Sequence, residues 1–69
     1  MIKPGQIYLN RNGRVKEVIT KIENNRIYYD IFVDNRFQMR DECSLISYAE
    51  VNKQLGWRLF NEEPEEEML

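Results

Sequence analysis

The stretch VITKIENNRIYYDI, residues 18–31, decides the fold. Two segments rich in β-branched and aromatic side chains, which favour strands, flank the dipeptide Asn24-Asn25. Asparagine adopts positive φ more readily than most residues, as both central positions of a type I′ hairpin turn require. The stretch therefore predicts an antiparallel hairpin. Its expected pairs are Glu23 with Arg26, Ile22 with Ile27, Thr20 with Tyr29 and Val18 with Ile31.

Two further turn signals lie on either side of this hairpin. Asn12-Gly13 is the stronger of the two, because glycine adopts positive φ at little cost. The segment Asp34-Asn35-Arg36 fits a three-residue loop, with residue 35 or 36 near the left-handed region. Together the three turns predict a four-stranded antiparallel meander. The outer pairs expected are Leu9 with Lys16, Ile7 with Val18, Val33 with Phe37, Ile31 with Met39 and Asp30 with Arg40.

The three predicted registers place one set of mostly apolar side chains on one face of the sheet. A slip of one residue in any hairpin would move that strand's side chains to the other face and destroy the agreement. Lys16 also falls on this face, and this misfit predicts a bulge or bend near residues 15–17. The expected core face comprises Ile7, Leu9, Val18, Thr20, Ile22, Ile27, Tyr29, Ile31, Val33, Phe37 and Met39.

A short helix is predicted after the fourth strand. Ser47 and Glu50 have the spacing of a capping box, in which both side chains bind free backbone amides at the start of a helix. Tyr48, Val51 and Leu55 share one face, and Gly56 is a typical helix stop. The fold class is therefore mostly β: a five-stranded small antiparallel barrel with one helix. We expect strands at about 5–10, 14–23, 26–34, 37–41 and 57–60, and the helix at about 48–55.

Charge divides the 69 residues into a body and a tail. Residues 1–61 contain all ten Lys and Arg residues and seven acids, a net charge of +3, whereas residues 62–69 contain five glutamates. We expect a single domain at 1–61 and an acidic, disordered tail at 62–69, because the tail has too few apolar groups to order itself. The alternative is that the tail docks on a partner or screens the basic body.

We expect a cytoplasmic protein that does not enter a membrane. No apolar run approaches the roughly 20 residues that a membrane-spanning helix needs, and the first residues show no hydrophobic signal region. Cys43 is the single cysteine and cannot form an internal disulfide, which fits a reducing compartment. Its acidic neighbours Asp41 and Glu42 would raise a thiol pKa, so we interpret it as structural.

Catalysis is not indicated by any motif. The chain has no histidine, and so it lacks the commonest general base, the usual catalytic triads and typical zinc-ligand sets. Its three glycines form no phosphate-binding pattern. The adjacent carboxylates Asp41 and Glu42 have no sequence context that would separate their pKa values. We therefore expect no enzyme activity, no cofactor and no metal.

The predicted order of elements resembles SH3-like small β-barrels, which include tudor-type, KOW-type and Sm-type modules. The opening Lys3-Pro4-Gly5-Gln6-Ile7-Tyr8 is similar to the entry of the first strand in such barrels. The resemblance spans residues 3–60 and is one of topology. No family-defining motif carries over, and the short Asn12-Gly13 turn leaves no room for the long loop of proline-peptide-binding SH3 domains. An Sm-type ring would pair through its fourth and fifth strands. Stand-alone barrels of this size are also found among bacteriophage accessory proteins, including inhibitors of host systems.

An aromatic patch is predicted on the outer face of the sheet. The registers place Tyr8 beside Glu17 and Phe32 there, with Ile19 and Tyr28 nearby. One interpretation is that the helix covers part of this patch, because an amphipathic helix must bury its apolar stripe. The other is a recognition surface, since aromatic and arginine side chains dominate protein interfaces. The candidate partner-binding residues are Tyr8, Tyr28, Phe32, Lys21, Arg36 and Arg40.

We expect a protein-interaction module, a small adaptor or inhibitor that binds a larger protein or a second copy of itself through this patch. The alternative is a nucleic-acid-binding barrel, against which stands the sequence pI of about 5.1. Its phosphate contacts would be Arg11, Arg14, Lys16, Lys21, Arg26, Arg36 and Arg40. A third interpretation, that the tail mimics nucleic acid, rests on only eight residues.

Overall fold

Five antiparallel strands and one helix make up residues 1–60, the part of the chain that the computed structural model describes. The predicted acidic tail at 62–69 lies outside the described residues. The elements are β1 (Ile7–Leu9), β2 (Val15–Glu23), β3 (Arg26–Val33), β4 (Arg36–Ser44), α1 (Leu45–Leu55) and β5 (Arg58–Leu59). The strands form one sheet in the order β4-β3-β2-β1-β5. The mostly β fold is confirmed, but the sheet does not close within residues 1–60, because β4 and β5 form opposite edges.

The turn between β2 and β3 is the one that the sequence predicts. Asn24 and Asn25 have φ values of 54° and 63°, so both central residues adopt the left-handed conformation. The turn between β3 and β4 differs from the prediction. Asp34 and Asn35 are both left-handed, at 53° and 67°, and Arg36 already belongs to β4. The predicted three-residue loop is therefore wrong, and the turn has two residues.

The connection between β1 and β2 keeps the predicted register through a wider loop. Leu9 lies opposite Lys16 and Ile7 opposite Val18, as expected. The Gly13 amide donates to the Asn10 carbonyl at 3.0 Å, and Gly13 has a φ of 81°. The Asn10 side chain also accepts a hydrogen bond from the Val15 amide at 3.0 Å. These contacts close the hairpin from Asn10 rather than from a tight Asn12-Gly13 turn.

A bulge at Thr20 reverses one half of the predicted core. Lys21 lies opposite Tyr28 and Ile19 opposite Tyr29, so Thr20 has no partner in the ladder between β2 and β3. A bulge inserts one residue and therefore exchanges the faces of the strand beyond it. Val18 lies opposite Asp30 rather than Ile31. The predicted bulge near residues 15–17 is misplaced, and the true bulge moves Lys16 off the core face.

A second irregularity lies between β3 and β4. Phe37 is opposite Phe32 and Met39 is opposite Ile31, so Gln38 is the extra residue. The predicted pair of Val33 with Phe37 is therefore wrong. The register then returns to the predicted one, in which Asp30 lies opposite Arg40. The short turn and the bulge compensate each other, which is why the far half of this hairpin was predictable.

The core lies between the sheet and α1. Its buried apolar side chains are Ile19, Ile27, Tyr29 and Tyr48, with Tyr8 and Ile31 among those packed around them. Ile22, Ile27, Tyr29 and Ile31 confirm part of the expected core face. The remainder of that prediction is wrong or marginal. The Thr20 bulge moves Val18, and with it Ile7 and Leu9 of β1, to the other face. Phe37 also lies on that face, because the β3–β4 turn has two residues and Gln38 is the extra residue.

The helix begins three residues earlier than predicted. Ser44 is the N-cap, and its side chain accepts a hydrogen bond from the Ser47 amide at 3.1 Å. The predicted Ser47 capping box is therefore wrong, because Ser47 lies inside the first turn. Gly56 ends the helix with a φ of 77°, as predicted. Among residues 1–60, no helix has the length and apolar character needed to cross a membrane.

Candidate functional site

The sheet has two faces, and only one of them carries the helix. Tyr48 of α1 packs on Tyr8 and Tyr29, with ring centroids 6.1 and 5.0 Å away. Residues directly opposite each other in antiparallel strands share a face, and neighbours along a strand alternate. The opposite face has no helix of residues 1–60 packed on it. We name it the open face and define it by Lys16, Lys21, Tyr28, Phe32, Phe37 and Arg40.

Two phenylalanines form the apolar centre of the open face. The rings of Phe32 and Phe37 meet edge to face, with centroids 5.8 Å apart and an interplanar angle of 74°. Such aromatic pairs stabilise by about 0.5–1.5 kcal/mol beyond the area that they bury. Phe37 nevertheless remains 54% exposed, and Phe32 is half-buried. An aromatic pair with one ring open to solvent is available for contact with another molecule.

Cations border the aromatic rings of the open face. The Lys21 ammonium lies 4.7 Å from the centroid of the Tyr28 ring, and the Lys16 ammonium lies 5.9 Å from that of Phe32. Both distances fall within the range of cation–π attraction. A hydrogen bond from Lys21 to Glu23 raises the pKa of the lysine, so it carries its charge at neutral pH. Arg40 is 81% exposed and pairs with Asp30 at 3.0 Å.

Four of the six predicted site residues lie together on the open face. Tyr28, Phe32, Lys21 and Arg40 share it because β3 presents its even-numbered residues there. Tyr8 and Arg36 lie on the other face. Tyr8 lies opposite Glu17, beyond the Thr20 bulge, and packs on Tyr48 instead. Arg36 lies opposite Val33. Val33 is the neighbour of Phe32 along β3, and neighbours along a strand lie on opposite faces.

Two residues of the open face, Phe37 and Lys16, are absent from the predicted aromatic patch, although Lys16 is among the predicted phosphate contacts. The prediction places Phe37 in the core because the predicted β3–β4 turn is one residue too long. Lys16 was assigned to the core face as well, although a lysine there is unfavourable. The misfit of Lys16 was the signal for a bulge. The predicted position, near residues 15–17, lies before the true bulge at Thr20.

The helix-covered face contains a groove of about 290 Å³ beside α1. Glu17, Tyr29 and Cys43 of the sheet form one side. The other side is formed by α1 and the residue that follows its C-terminal cap; the contributing side chains include Tyr48, Val51, Asn52, Leu55 and Trp57. Val51 and Leu55 are 47% and 56% exposed, so the groove is open to solvent along the helix. The predicted apolar stripe of the helix is thus only partly covered.

Among residues 1–60, Glu17 is the one charged residue that lines the groove. Burial raises the pKa of its carboxyl, the nearby Tyr48 hydroxyl opposes this rise, and the charge of Asp41 adds to it. Burial also raises the pKa of Tyr29 and of Tyr48. The Tyr29 hydroxyl donates to the Cys43 sulfur at 3.9 Å, which ties the single cysteine to the core. The groove therefore combines apolar walls with a negative group.

Metal-binding side chains are not clustered on either surface in the part of the chain that the structure describes. Within residues 1–60, no cluster of three or more His, Cys, Asp or Glu side chains lies close enough to hold a metal ion. Comparison of the chain with protein-family models, with curated proteins and with solved structures gave no match in any of the three. The function has to be inferred from the two surfaces themselves.

Proposed function

We propose that this chain is a non-catalytic protein-interaction module, a small adaptor or inhibitor that binds a larger protein through its open face. The observation that carries the proposal is the edge-to-face pair of Phe32 and Phe37, which lies on a sheet face that no helix of residues 1–60 covers. Contiguous apolar groups on the surface of a small protein mark interaction sites. Aromatic side chains are also the commonest energetic centres of protein interfaces.

The charges around this pair define the partner's chemistry. Lys16, Lys21 and Arg40 border the aromatic centre, and the Arg40 side chain is almost fully exposed. A partner surface with an apolar centre and a carboxylate rim would complement it, because opposite charges steer encounter and fix orientation. A second copy of the chain would also offer such carboxylates, since Glu23 lies beside Lys21 and Asp30 beside Arg40.

Nucleic acid is the less favoured ligand for this face. Arg14, Lys21, Arg26 and Arg40 are four of the seven cations proposed as phosphate contacts. Each forms an ion pair within the sheet, with Asp34, Glu23, Glu42 and Asp30 respectively. A phosphate would have to compete with a carboxylate at every one of them. This competition weighs against a ligand whose affinity rests on phosphate contacts, whereas a protein partner would bind mainly through the pair of Phe32 and Phe37.

The kinship with SH3-like barrels is also a proposal. It is supported by the order of elements, in which four meandering strands are followed by a helix and a short fifth strand beside β1. Closure into a barrel would require an edge of β4 to meet β5. We also propose that the adaptor or inhibitor is of the phage accessory type, on the basis of its size and architecture alone.

A matched pair of variants tests the binding proposal. Phe37→Ala removes an exposed ring from the open face, and Ile46→Ala removes an exposed side chain, 72% accessible, from the helix. Full-length wild type and both variants are used to capture proteins from the native host. Each captured protein is then purified, and its affinity for the three chains is measured by calorimetry. We expect Phe37→Ala to weaken binding by at least tenfold, as for an aromatic hot spot, and Ile46→Ala to leave it unchanged.

The same proteins are examined by sedimentation and by titration with labelled RNA and DNA at low salt. A wild-type dimer that dissociates in Phe37→Ala would identify a second copy as the partner. A partner that binds wild type and Phe37→Ala equally would contradict the open face as the binding site. Salt-sensitive binding of RNA or DNA that Phe37→Ala weakens would replace protein by nucleic acid as the ligand.

A further inference from the structure

A second candidate site lies on the helix-covered face, in the groove beside α1. Its carboxylate, Glu17, differs from most acids of the sheet. The acids that have a Lys or Arg partner within 4 Å include Glu23, Asp30, Asp34 and Glu42. Glu17 is half-buried and has no such ion pair among the described residues. Because buried carboxylates are unfavourable without a compensating partner, this negative charge requires an explanation.

Two unpartnered hydrogen-bond donors lie against the same groove. Tyr48 and Asn52 are only 4% and 9% exposed, and both line it. Neither the Tyr48 hydroxyl oxygen nor the Asn52 side-chain nitrogen has a hydrogen-bond partner of good geometry. Both groups can donate a hydrogen bond. The Tyr48 hydroxyl opposes the rise that burial causes in the pKa of Glu17, so it favours the charged carboxylate against the effect of burial.

The walls of the groove suit an alkyl chain. Tyr29 and Trp57 contribute aromatic surface, and Val51 and Leu55 contribute aliphatic surface at the rim. A volume of about 290 Å³ is at the lower limit for small-molecule sites. It would hold one side chain or one small amine.

We propose that this groove binds a primary alkylammonium group, with its nitrogen at Glu17 and its alkyl chain along Trp57, Val51 and Leu55. A cation there offsets the unfavourable burial of the Glu17 charge. An ammonium fits better than a guanidinium, because a single carboxylate offers few acceptors for the five donors of an arginine side chain. The source is either a free alkylamine or a lysine side chain. The inference does not depend on the proposed function of the open face.

Trp57 provides the readout, because it is the only tryptophan of the chain and lines the groove. Full-length protein is titrated with hexylamine, with the uncharged hexanol, and with a lysine tripeptide blocked at both ends. Binding is followed by Trp57 fluorescence and by amide chemical shifts in α1. We expect hexylamine to bind at least tenfold more tightly than hexanol. Saturation by the tripeptide would identify lysine as the source, and saturation by hexylamine alone would identify a free amine.

Glu17→Gln is the test variant, and Glu50→Gln is its control. Both remove one negative charge, but Glu50 is exposed on α1 and does not line the groove. We expect Glu17→Gln to weaken hexylamine binding by about tenfold or more while its amide spectrum shows the native fold. Glu50→Gln should bind as wild type does. Equal affinity for hexanol and hexylamine, unchanged binding by a folded Glu17→Gln, or no saturation by either amine would overturn the proposal.

Discussion

The two faces of the sheet are built from alternate residues of the same strands, yet they differ in burial. On the helix-covered face, Ile27 and Ile19 are 0% and 1% exposed. On the open face, Phe32 is half-buried and Phe37 is 54% exposed. The helix accounts for the difference, because Tyr48 packs on one face, whereas no helix of residues 1–60 covers the other. Folding therefore depends mainly on one face, and the aromatic groups of the other stay partly exposed.

The largest expected effect is on the covered face. Ile27→Ala removes a fully buried side chain, and such substitutions destabilise by about 2–5 kcal/mol. Because small domains have little stability in reserve, we expect this variant to be largely unfolded at 37 °C. Ile46→Ala, on the exposed surface of the helix, should change the free energy of unfolding by less than about 0.5 kcal/mol. Urea denaturation followed by circular dichroism compares the two. Equal losses would contradict a core confined to one face.

The next effect tests the bulge that separates the faces. Ile19 is buried and its neighbour Val18 lies on the open side, so we expect Ile19→Thr to destabilise by about 2–4 kcal/mol. Val18→Thr should destabilise by less than about 1 kcal/mol. Threonine keeps a β-branched side chain in both variants, so strand preference changes little. A ladder without the bulge at Thr20 would reverse the order of the two losses in urea denaturation.

The smallest effect concerns the acid on the covered face. Burial raises the pKa of Glu17 in the folded protein, so the stability linked to its protonated form is lost as the pH rises through that raised value. We expect Glu17→Gln to be more stable than wild type at pH 7, by a few degrees in Tm. The gain should vanish when the pH falls below the ordinary carboxyl pKa of 4.5.

Thermal unfolding between pH 3.5 and pH 8, with Glu50→Gln as control, measures this difference. Among residues 1–60, the groups around Glu17 that titrate or carry charge include Tyr8, Tyr29, Asp41, Cys43 and Tyr48, and both variants retain them. A Glu17→Gln variant less stable than wild type at pH 7 would show that Glu17 stabilises the covered face through Tyr48.

Local turn chemistry accounts for the parts of the fold that the sequence predicts. The turn at Asn24-Asn25 and the helix end at Gly56 each require a left-handed backbone that few residues adopt, so both positions could be predicted from the sequence. The bulge at Thr20 has no comparable residue preference. Ile19 and Val18 are both apolar and β-branched, so either could have faced the core on pattern alone. Packing of Tyr48 against Tyr29 decides between them, and that contact is formed between distant parts of the chain.

The face on which each candidate-site residue lies was likewise predictable only where it depends on a single strand. Tyr28 and Phe32 were grouped correctly because they lie on one strand, where alternation is sufficient. Tyr8 was misplaced because its face depends on β2 beyond the bulge. The groove could not be predicted, since it joins Glu17 of β2 to Trp57 after the helix.

The most direct measurement of the division into two faces is an NMR record of contacts between aromatic side chains in the full-length protein. We expect nuclear Overhauser effects from the Tyr48 ring to the Tyr8 and Tyr29 rings, and separately from Phe32 to Phe37. Effects from the Tyr48 ring to Tyr28 or Phe32 would contradict it, because they would place the helix over the face described as open.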